Sequence, residues 1–296
     1  SHRAYLAELQ KMLMSEKPLG QIASVKISAG TQSERDRADR GPPDWAAMQD
    51  RATQLLRTPQ QGDFADRFQA LHEDLERQCT QSPDATVLAL IFLSAQETRM
   101  YSATHAMLVS CVCMLTAREV LNWPEAKVLT LGRAALSMNL AMTELQDQLV
   151  QQAHPLTATQ IAAVENHATR SEALLRQLGV ADPVWLEAVR CHHHRLPGPL
   201  NDKTEAQQLA RLIQRADIFA ARLAPRATRW PMPVTAAMQA SYYDEEQHVD
   251  AAGAAIVKAL GIYPPGAFVR LATQEIAVVL KRGPSATTPR VAVVMN

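Results

Sequence analysis

The stretch MYSATHAMLVSCVCMLTA, residues 100–117, decides the fold class of this chain. His105 precedes Leu108, Val109 and Val112 by three, four and seven residues, so the four side chains lie on one face of a helix. That face is apolar apart from the histidine. The stretch therefore predicts a helix whose histidine points into the core.

A second helix places a histidine in the same way. The pattern Thr157-x-x-Gln160 is a capping box, which marks the start of a helix. On the helix that follows, His167 lies on one stripe with Val164 and Leu174. We expect this histidine to point inward as well.

Two further helices add three polar groups. The helix that begins at Asp182 brings His192 and His193 to its inner edge. The helix over residues 209–223 carries Asp217 on its buried side. These groups are also predicted to face the core.

Five groups that can bind a metal ion thus face inward from four helices. They are His105, His167, His192, His193 and Asp217. A lone histidine on an apolar face is more often a hydrogen-bonded core residue than a ligand. An unpartnered buried polar group costs about 1–3 kcal/mol, and shared binding of a metal ion is one way to offset such costs. The pattern alone leaves both interpretations open.

The other histidines and the cysteines are expected to lie outside this cluster. His72, His154 and His248 have polar neighbours and are expected at the surface, and residues 245–250 are typical of a solvated helix start. The four cysteines lack the paired spacing of a zinc ribbon and lie in or beside apolar helical runs. We interpret them as reduced core residues.

The overall composition excludes several classes of function. Thirty basic residues balance thirty acidic ones, so no global field would attract DNA, RNA or an anionic membrane. No apolar run reaches the roughly 18 residues of a membrane span. The first residues, SHRAYLAELQ, lack the pattern of a signal peptide, so the expected location is the cytoplasm.

The order of helices and strands predicts a mainly α chain. A short helix is expected over residues 3–14, a linker over 15–43, and helices over 44–57 and 63–81. Residues 82–260 contain no convincing strand and predict a helical bundle. Short β-branched runs at 268–271, 275–281 and 291–295 predict a small antiparallel sheet. We therefore expect an N-terminal helical region of unknown role, 1–81, and a domain over 82–296.

The order of the motifs resembles the HD-GYP family, the cyclic di-GMP phosphodiesterases among the HD metal-dependent phosphohydrolases. The resemblance covers about residues 82–296, and its specificity lies in the order and spacing of all the pieces. They are YSATHAMLV, AALSMNLAM, HPLTATQIAAVENHATRSEALL, CHHHRLPG, LARLIQRADIFAAR, and the tail YPPGAFVRLATQEIAVVLKRG with TPRVAVVMN.

The resemblance implies a metal site that binds two or three ions and a water that attacks the phosphodiester. The first histidine of the family corresponds to His105, a further one to His167, and a pair to His192 and His193. The late aspartate corresponds to Asp217.

The sequence departs from the family at the positions that carry the chemistry. Met138 and Asn139 stand in place of the His-Asp pair, and Met142 stands in place of a phosphate-binding lysine. Tyr101 replaces a carboxylate used by three-metal members, and His194 replaces a glutamate. The Gly-Tyr-Pro signature is missing, because LPGPL follows the histidines directly.

These departures predict an impaired site. Two neighbouring divalent ions need an anionic bridge to offset their repulsion, and the neutral amide of Asn139 supplies none. The thioether of Met138 is a soft ligand where a harder ion would take imidazole, and core packing alone explains Met138 and Met142.

Two hypotheses follow from this interpretation. The first is a non-catalytic signalling module that binds a protein partner or a cyclic dinucleotide, with a homodimer as one arrangement. The second is a reduced phosphodiesterase in which His167, His192 and His193 hold one ion with an open position. The expected cofactor is either none or one weakly held Fe, Mn or Zn ion. The absent bridge, lysine and signature favour the first hypothesis.

Overall fold

Apolar stripes with capped ends produce a mainly helical structure, as the sequence predicts. The computed structural model describes residues 43–96, 98–285 and 288–295, so the predicted helix at 3–14 and nearly all of the predicted linker lie outside the described residues. The α-helices are α1 Trp45–Arg57, α2 Phe64–Gln81, α3 Pro83–Gln96, α4 Tyr101–Glu119, α5 Glu125–Ser137, α6 Thr143–Gln151, α7 Ala158–Gln177, α8 Pro183–Cys191, α9 Glu205–Leu223, α10 Val234–Tyr242 and α11 Ala251–Leu260.

Side-chain caps fix where several of these helices begin. Asp63 accepts a hydrogen bond from a backbone N–H in the first turn of α2, and Asp182 and Asp250 do the same for α8 and α11. Complete capping boxes at Thr157 and Thr204 open α7 and α9. The capping box predicted at Thr157 is therefore confirmed.

Helix α4, the quoted stretch of the sequence, forms the centre of the bundle. All of its residues from Tyr101 to Ala117 are buried. It packs against α3, α5, α9 and α11, and a helix buried on every side needs no polar stripe. This burial explains why residues 100–117 are apolar almost throughout.

Helices α1 and α2 pack onto the same bundle. The ring of Phe68 in α2 stacks on Trp185 in α8, with ring centroids 5.3 Å apart. Gln49 in α1 donates a buried 2.6 Å hydrogen bond to Thr104 in α4. The compact unit Ala46–Asn296 accordingly contains α2 and all of α1 after Trp45.

The C-terminal strands form the predicted antiparallel sheet, in the order β1-β2-β3. The strands are β1 Phe268–Arg270, β2 Ile276–Lys281 and β3 Arg290–Met295. Arg282, just after β2, is fastened to the bundle by Asp84 at 2.5 Å, by Glu119, and by the carbonyl of Ala259 at 2.7 Å. The sheet is thus attached to α3, α4 and α11.

Two expectations about polar residues are wrong. His72 is 1% exposed, because it lies on the inner face of α2 together with Phe68 and Leu75. Asp250 is also buried and pairs with the buried Arg211 at 2.7 Å, while Glu245 pairs with Arg211 and Arg215. The run 245–250 therefore supplies the carboxylates of a buried ion-pair network and is not simply a solvated helix start.

The cysteines behave as predicted, since all four are buried free thiols. Within the described ranges, no helix combines the length and the apolar character that a membrane crossing requires.

Candidate metal centre

Three of the predicted ligands meet at one point between α7 and the end of α8. The Nε2 atom of His167 lies 3.2 Å from Nε2 of His192 and 3.2 Å from Nε2 of His193. One ligand atom of each ring lies within 4.8 Å of the others, and this is the one His, Cys, Asp or Glu group of that kind among the described residues. His167 and His192 are buried, whereas His193 is exposed.

The backbone fixes the orientation of two of these rings. Nδ1 of His167 donates to the carbonyl of Val164 and Nδ1 of His192 donates to that of Val189, each at 2.6 Å. Because a carbonyl can only accept, the proton of each neutral ring is on Nδ1 and the lone pair is on Nε2. Both lone pairs therefore point toward the common centre.

This donor set fits one divalent ion. Two nitrogens bound to a tetrahedral zinc ion at about 2.0–2.1 Å lie roughly 3.3 Å apart, close to the 3.2 Å between the Nε2 atoms of His167 and His192. Two lone pairs facing each other at this distance repel unless a cation lies between them. Ligating histidines typically donate their other ring nitrogen to a carbonyl, as both do here.

Burial keeps the imidazoles of His167 and His192 neutral at ordinary pH. It lowers the pKa of His192 to about 3, with the neighbouring His193 and His167 adding to the effect. Burial also lowers the pKa of His167, against the opposing effect of its hydrogen bond to Val164. A neutral imidazole is the form that binds a metal ion.

The other two predicted ligands form a separate pair. Nε2 of His105 donates to Oδ1 of Asp217 at 2.7 Å, and the Tyr101 hydroxyl lies 3.3 Å from Nδ1 of His105. Burial raises the pKa of Tyr101 to about 12, so its phenol remains a donor. Burial alone would raise the pKa of Asp217, but the hydrogen bond from His105 and the electrostatic effect of the nearby histidines together outweigh it and hold that pKa below its usual range.

A buried carboxylate on α6 fixes the first turn of α4, where this pair begins. Met100, the residue before α4, makes no side-chain cap. Instead Asp147 accepts hydrogen bonds from the backbone N–H of Ser102 at 2.7 Å and from its hydroxyl at 3.0 Å. Arg57 of α1 pairs with the same carboxylate at 2.7 Å. Helices α1 and α6 thus help to place Tyr101 and His105.

Three of the positions that depart from the HD-GYP pattern, Met138, Asn139 and Met142, lie between α5 and α6, where the helix is interrupted. After α5 ends at Ser137, Leu140–Met142 form a single 3-10 turn before α6 begins. Met138 is fully buried, as core packing predicts. Met142 is only half-buried and lines a cleft of about 660 Å³, so core packing does not account for it fully. Oδ1 of Asn139 is buried and has no hydrogen-bond partner.

Three arginines near the pair were not anticipated from the sequence. Arg226 is hydrogen-bonded to the phenol of Tyr101, and the charge of Arg229 also acts on that phenol. Burial and the neighbouring arginines lower the pKa of both Arg222 and Arg229, and Asp217 lies close enough to oppose the effect on Arg222. None of the three forms an ion pair with a carboxylate of the described residues. The signal that could have revealed them is their spacing: they begin five residues after Asp217 and follow one another at steps of four and three residues.

The two groups of ligands lie within electrostatic reach of each other. The charge of Asp217 acts on both His167 and His192, and these interactions oppose the lowering of their pKa values by burial. The direct contacts, however, stay within each group. His105 contacts Asp217, and His167 contacts both His192 and His193.

The chain is similar to a curated protein, the cyclic di-GMP phosphodiesterase PA4108 of Pseudomonas aeruginosa. The two are 26% identical over 249 residues, which is 81% of this chain and 58% of the relative. The chain thus spans less than two thirds of the length of that relative. No protein-family model and no solved structure matches the chain.

Proposed function

We propose that this chain is a catalytically impaired HD-GYP-like module of cyclic di-GMP signalling, which holds at most one divalent ion at His167, His192 and His193. The observation that carries the proposal is the division of the ligands. Three imidazoles converge on one point, whereas the carboxylate of Asp217 is engaged by His105 at 2.7 Å. The distant similarity to a cyclic di-GMP phosphodiesterase supports the signalling context.

The ligand set explains why one ion is favoured over two. A pair of ions needs a bridging anion, and the position that would provide it is the neutral Asn139. An Fe, Mn or Zn ion at the three histidines would polarise a phosphoryl oxygen. His167 and His192 are oriented for this ion by backbone carbonyls, and the exposed His193 leaves the site open to a ligand.

The three arginines supply positive charge that, in the HD-GYP pattern, comes from a phosphate-binding lysine at the position of Met142. Arg222, Arg226 and Arg229 lie near the Tyr101–His105–Asp217 group and lack carboxylate partners among the described residues. Guanidinium groups bind phosphate oxygens with paired hydrogen bonds. We infer that a phosphodiester binds here. In this proposal the bound module acts in the cytoplasm by contact with a signalling protein or a second copy of itself.

A residual phosphodiesterase is the second candidate. The observation that favours it is the three-imidazole cluster, since catalytic sites often hold an ion by three protein ligands and keep one position open. Under this hypothesis Arg226 and Arg229 would orient the phosphodiester.

Hydrolysis of cyclic di-GMP in the presence of Mn²⁺ or Fe²⁺ separates the two candidates. We expect no turnover above the protein-free rate for the wild type, because no anionic bridge is available. The double variant Met138→His/Asn139→Asp restores the missing pair and is the matched comparison, in which turnover should rise. Robust wild-type turnover that disappears in His192→Ala would establish the enzyme instead.

A further inference from the structure

Three polar residues in one turn of α9 are buried beside the turn that follows α8. Arg211 and Arg215 are each 2% exposed, and Gln214 is 6% exposed. A buried charge or amide costs free energy unless hydrogen bonds and opposite charges offset that cost. The partners of these three side chains therefore show what the group holds in place.

Two carboxylates balance the charge of the two arginines. Nε of Arg211 donates to Asp250 at 2.8 Å, and both arginines pair with Glu245. Asp250 also accepts a hydrogen bond from the N–H of Gly253 at 2.8 Å and so caps α11. Because two negative charges already face the two positive ones, the role of Gln214 in this group is not to balance charge.

The amide of Gln214 is held in one orientation. Its Oε1 atom accepts hydrogen bonds from Nη1 of Arg211 at 2.5 Å and from Nη2 of Arg215 at 3.2 Å. Because a guanidinium group can only donate, the amide atom that faces the arginines must be the oxygen. The Nε2 atom consequently points the other way, where it donates to the carbonyl of His194 at 3.3 Å.

That carbonyl belongs to the turn that presents two of the three histidines of the candidate metal centre. The N–H of His194 donates to the carbonyl of Cys191 at 2.8 Å, so both polar backbone groups of His194 have partners. The ring of His192 is oriented by a backbone carbonyl, whereas the ring of His193 has a hydrogen-bond contact to His167 alone within the described ranges. The position of His193 therefore depends on the turn itself.

We propose that Gln214 is a positioning residue of the candidate metal centre, which fixes the carbonyl of His194 and thereby the placement of His193. Arg211 and Arg215 act through it, because they hold its oxygen and leave its N–H groups to the turn. The inference rests on the proposed function and deepens it, since it names a residue outside the three ligands that sets the affinity for the ion. Hydrogen-bond partners behind the ligands of a metal ion typically change its affinity by about 10- to 100-fold.

The variant Gln214→Glu separates the two ends of this side chain. Its carboxylate still accepts hydrogen bonds from both arginines but offers no N–H to the carbonyl of His194. Titration with Co²⁺, followed by its visible absorption, and competition with Zn²⁺ should both give an affinity about 10- to 100-fold below that of the wild type. The added negative charge alone would tighten the binding of a cation, so weaker binding has to come from the lost donor.

Hydrogen exchange in the metal-free protein measures the turn without the ion. The amide of His194 should exchange about 2- to 10-fold faster in Gln214→Glu, which is the contribution of one hydrogen bond at about 1.4 kcal/mol per tenfold. Gln214→Met removes the donor without adding a charge and should change metal affinity and exchange in the same directions. Urea unfolding of the metal-free proteins checks that each variant is folded.

Gln207→Glu is the matched control, because it makes the same chemical change on the same helix. Gln207 completes the capping box of Thr204, and a glutamate serves equally at that position. Its metal affinity and the exchange of the His194 amide should match those of the wild type.

Two kinds of result would count against the positioning role. Wild-type metal affinity in a folded Gln214 variant, or wild-type exchange at His194, would overturn this role and leave the proposed function intact. A wild type that binds neither Co²⁺ nor Zn²⁺ would remove the ion from the proposed function and overturn this inference with it.

Discussion

His72 lies in α2 among charged neighbours in sequence, yet it is buried in the bundle. Its Nε2 atom has no hydrogen-bond partner. Burial, and to a lesser degree the charge of Arg133, lowers its pKa from 6.5 to about 4. The unfolded chain thus takes up a proton near pH 6.5 that the folded chain does not take up until about pH 4. The stability associated with His72 is present above pH 6.5 and is lost as the pH falls toward 4.

We therefore expect His72→Leu to reduce the pH dependence of stability. Between pH 7 and 4.5, the fall in the free energy of unfolding should be about 2–3 kcal/mol smaller than in the wild type, at 1.36 kcal/mol per pKa unit. Urea unfolding at both pH values measures this difference. The exposed His154 provides the control variant His154→Leu, in which the fall should equal that of the wild type. If the free energy of unfolding of His72→Leu falls as much as that of the wild type, the account is contradicted.

Residue identity allowed part of the candidate site to be predicted. Helical spacing indicated the inward direction of His167 and His192, because each shares a stripe with apolar neighbours. It could not indicate which groups contact each other, since the 2.7 Å bond from His105 to Asp217 joins residues 112 positions apart. The burial of His72 was missed for a different reason, because the charged residues beside it in sequence were given more weight than Phe68 and Leu75, which share its helical face.

At the scale of elements, α4 and α5 approach closely at Gly132. An added Cβ there would lie 2.6 Å from both Nε2 of His72 and the sulfur of Met114. The same argument applies at Gly253 in α11, where a Cβ would lie 2.1 Å from the carbonyl oxygen of Ser241. The first contact involves side chains that can shift, whereas the second involves backbone.

Replacement by alanine should therefore destabilise the protein at both positions, and more at Gly253. We expect Gly132→Ala to lower the free energy of unfolding by about 1 kcal/mol, because a gain in helix propensity partly offsets the overpacking. Gly253→Ala should lower it by about 3 kcal/mol or more. Chemical denaturation of the two variants measures which of them loses more free energy of unfolding. A Gly253→Ala protein as stable as the wild type would show that α10 and α11 are not in this close contact.

Helices with local sequence signals were predicted, whereas features that depend on other elements were not. Periodicity and caps located α4, α7 and α8 because those signals are local. The break at residues 139–142 was not anticipated, since Met138 and Met142 continue an apolar stripe that would suit one unbroken helix. The turn of Arg226 and Arg229 was missed as well, because its significance depends on Tyr101 in another helix.

At the scale of the whole molecule, the order of motifs predicted more than any single motif did. Six helices contribute to the two ligand groups and their supports, namely α1, α4, α6, α7, α8 and α9, and α4 is the buried centre of the bundle. The predicted division between an N-terminal region, 1–81, and a domain, 82–296, stays a prediction. Helices α1 and α2 nevertheless pack against the bundle. Long-range pairs such as Arg57 with Asp147 link these helices and are invisible to local patterns.

The number of metal ions bound per chain tests the central claim most directly. Elemental analysis of protein purified and dialysed at neutral pH should give no more than one Fe, Mn or Zn ion per chain. Any bound ion should be lost in His167→Ala, because that ring contacts both other histidines of the cluster at 3.2 Å. His105→Ala should leave the ion content unchanged. Two tightly bound ions per chain, retained through dialysis, would contradict the account.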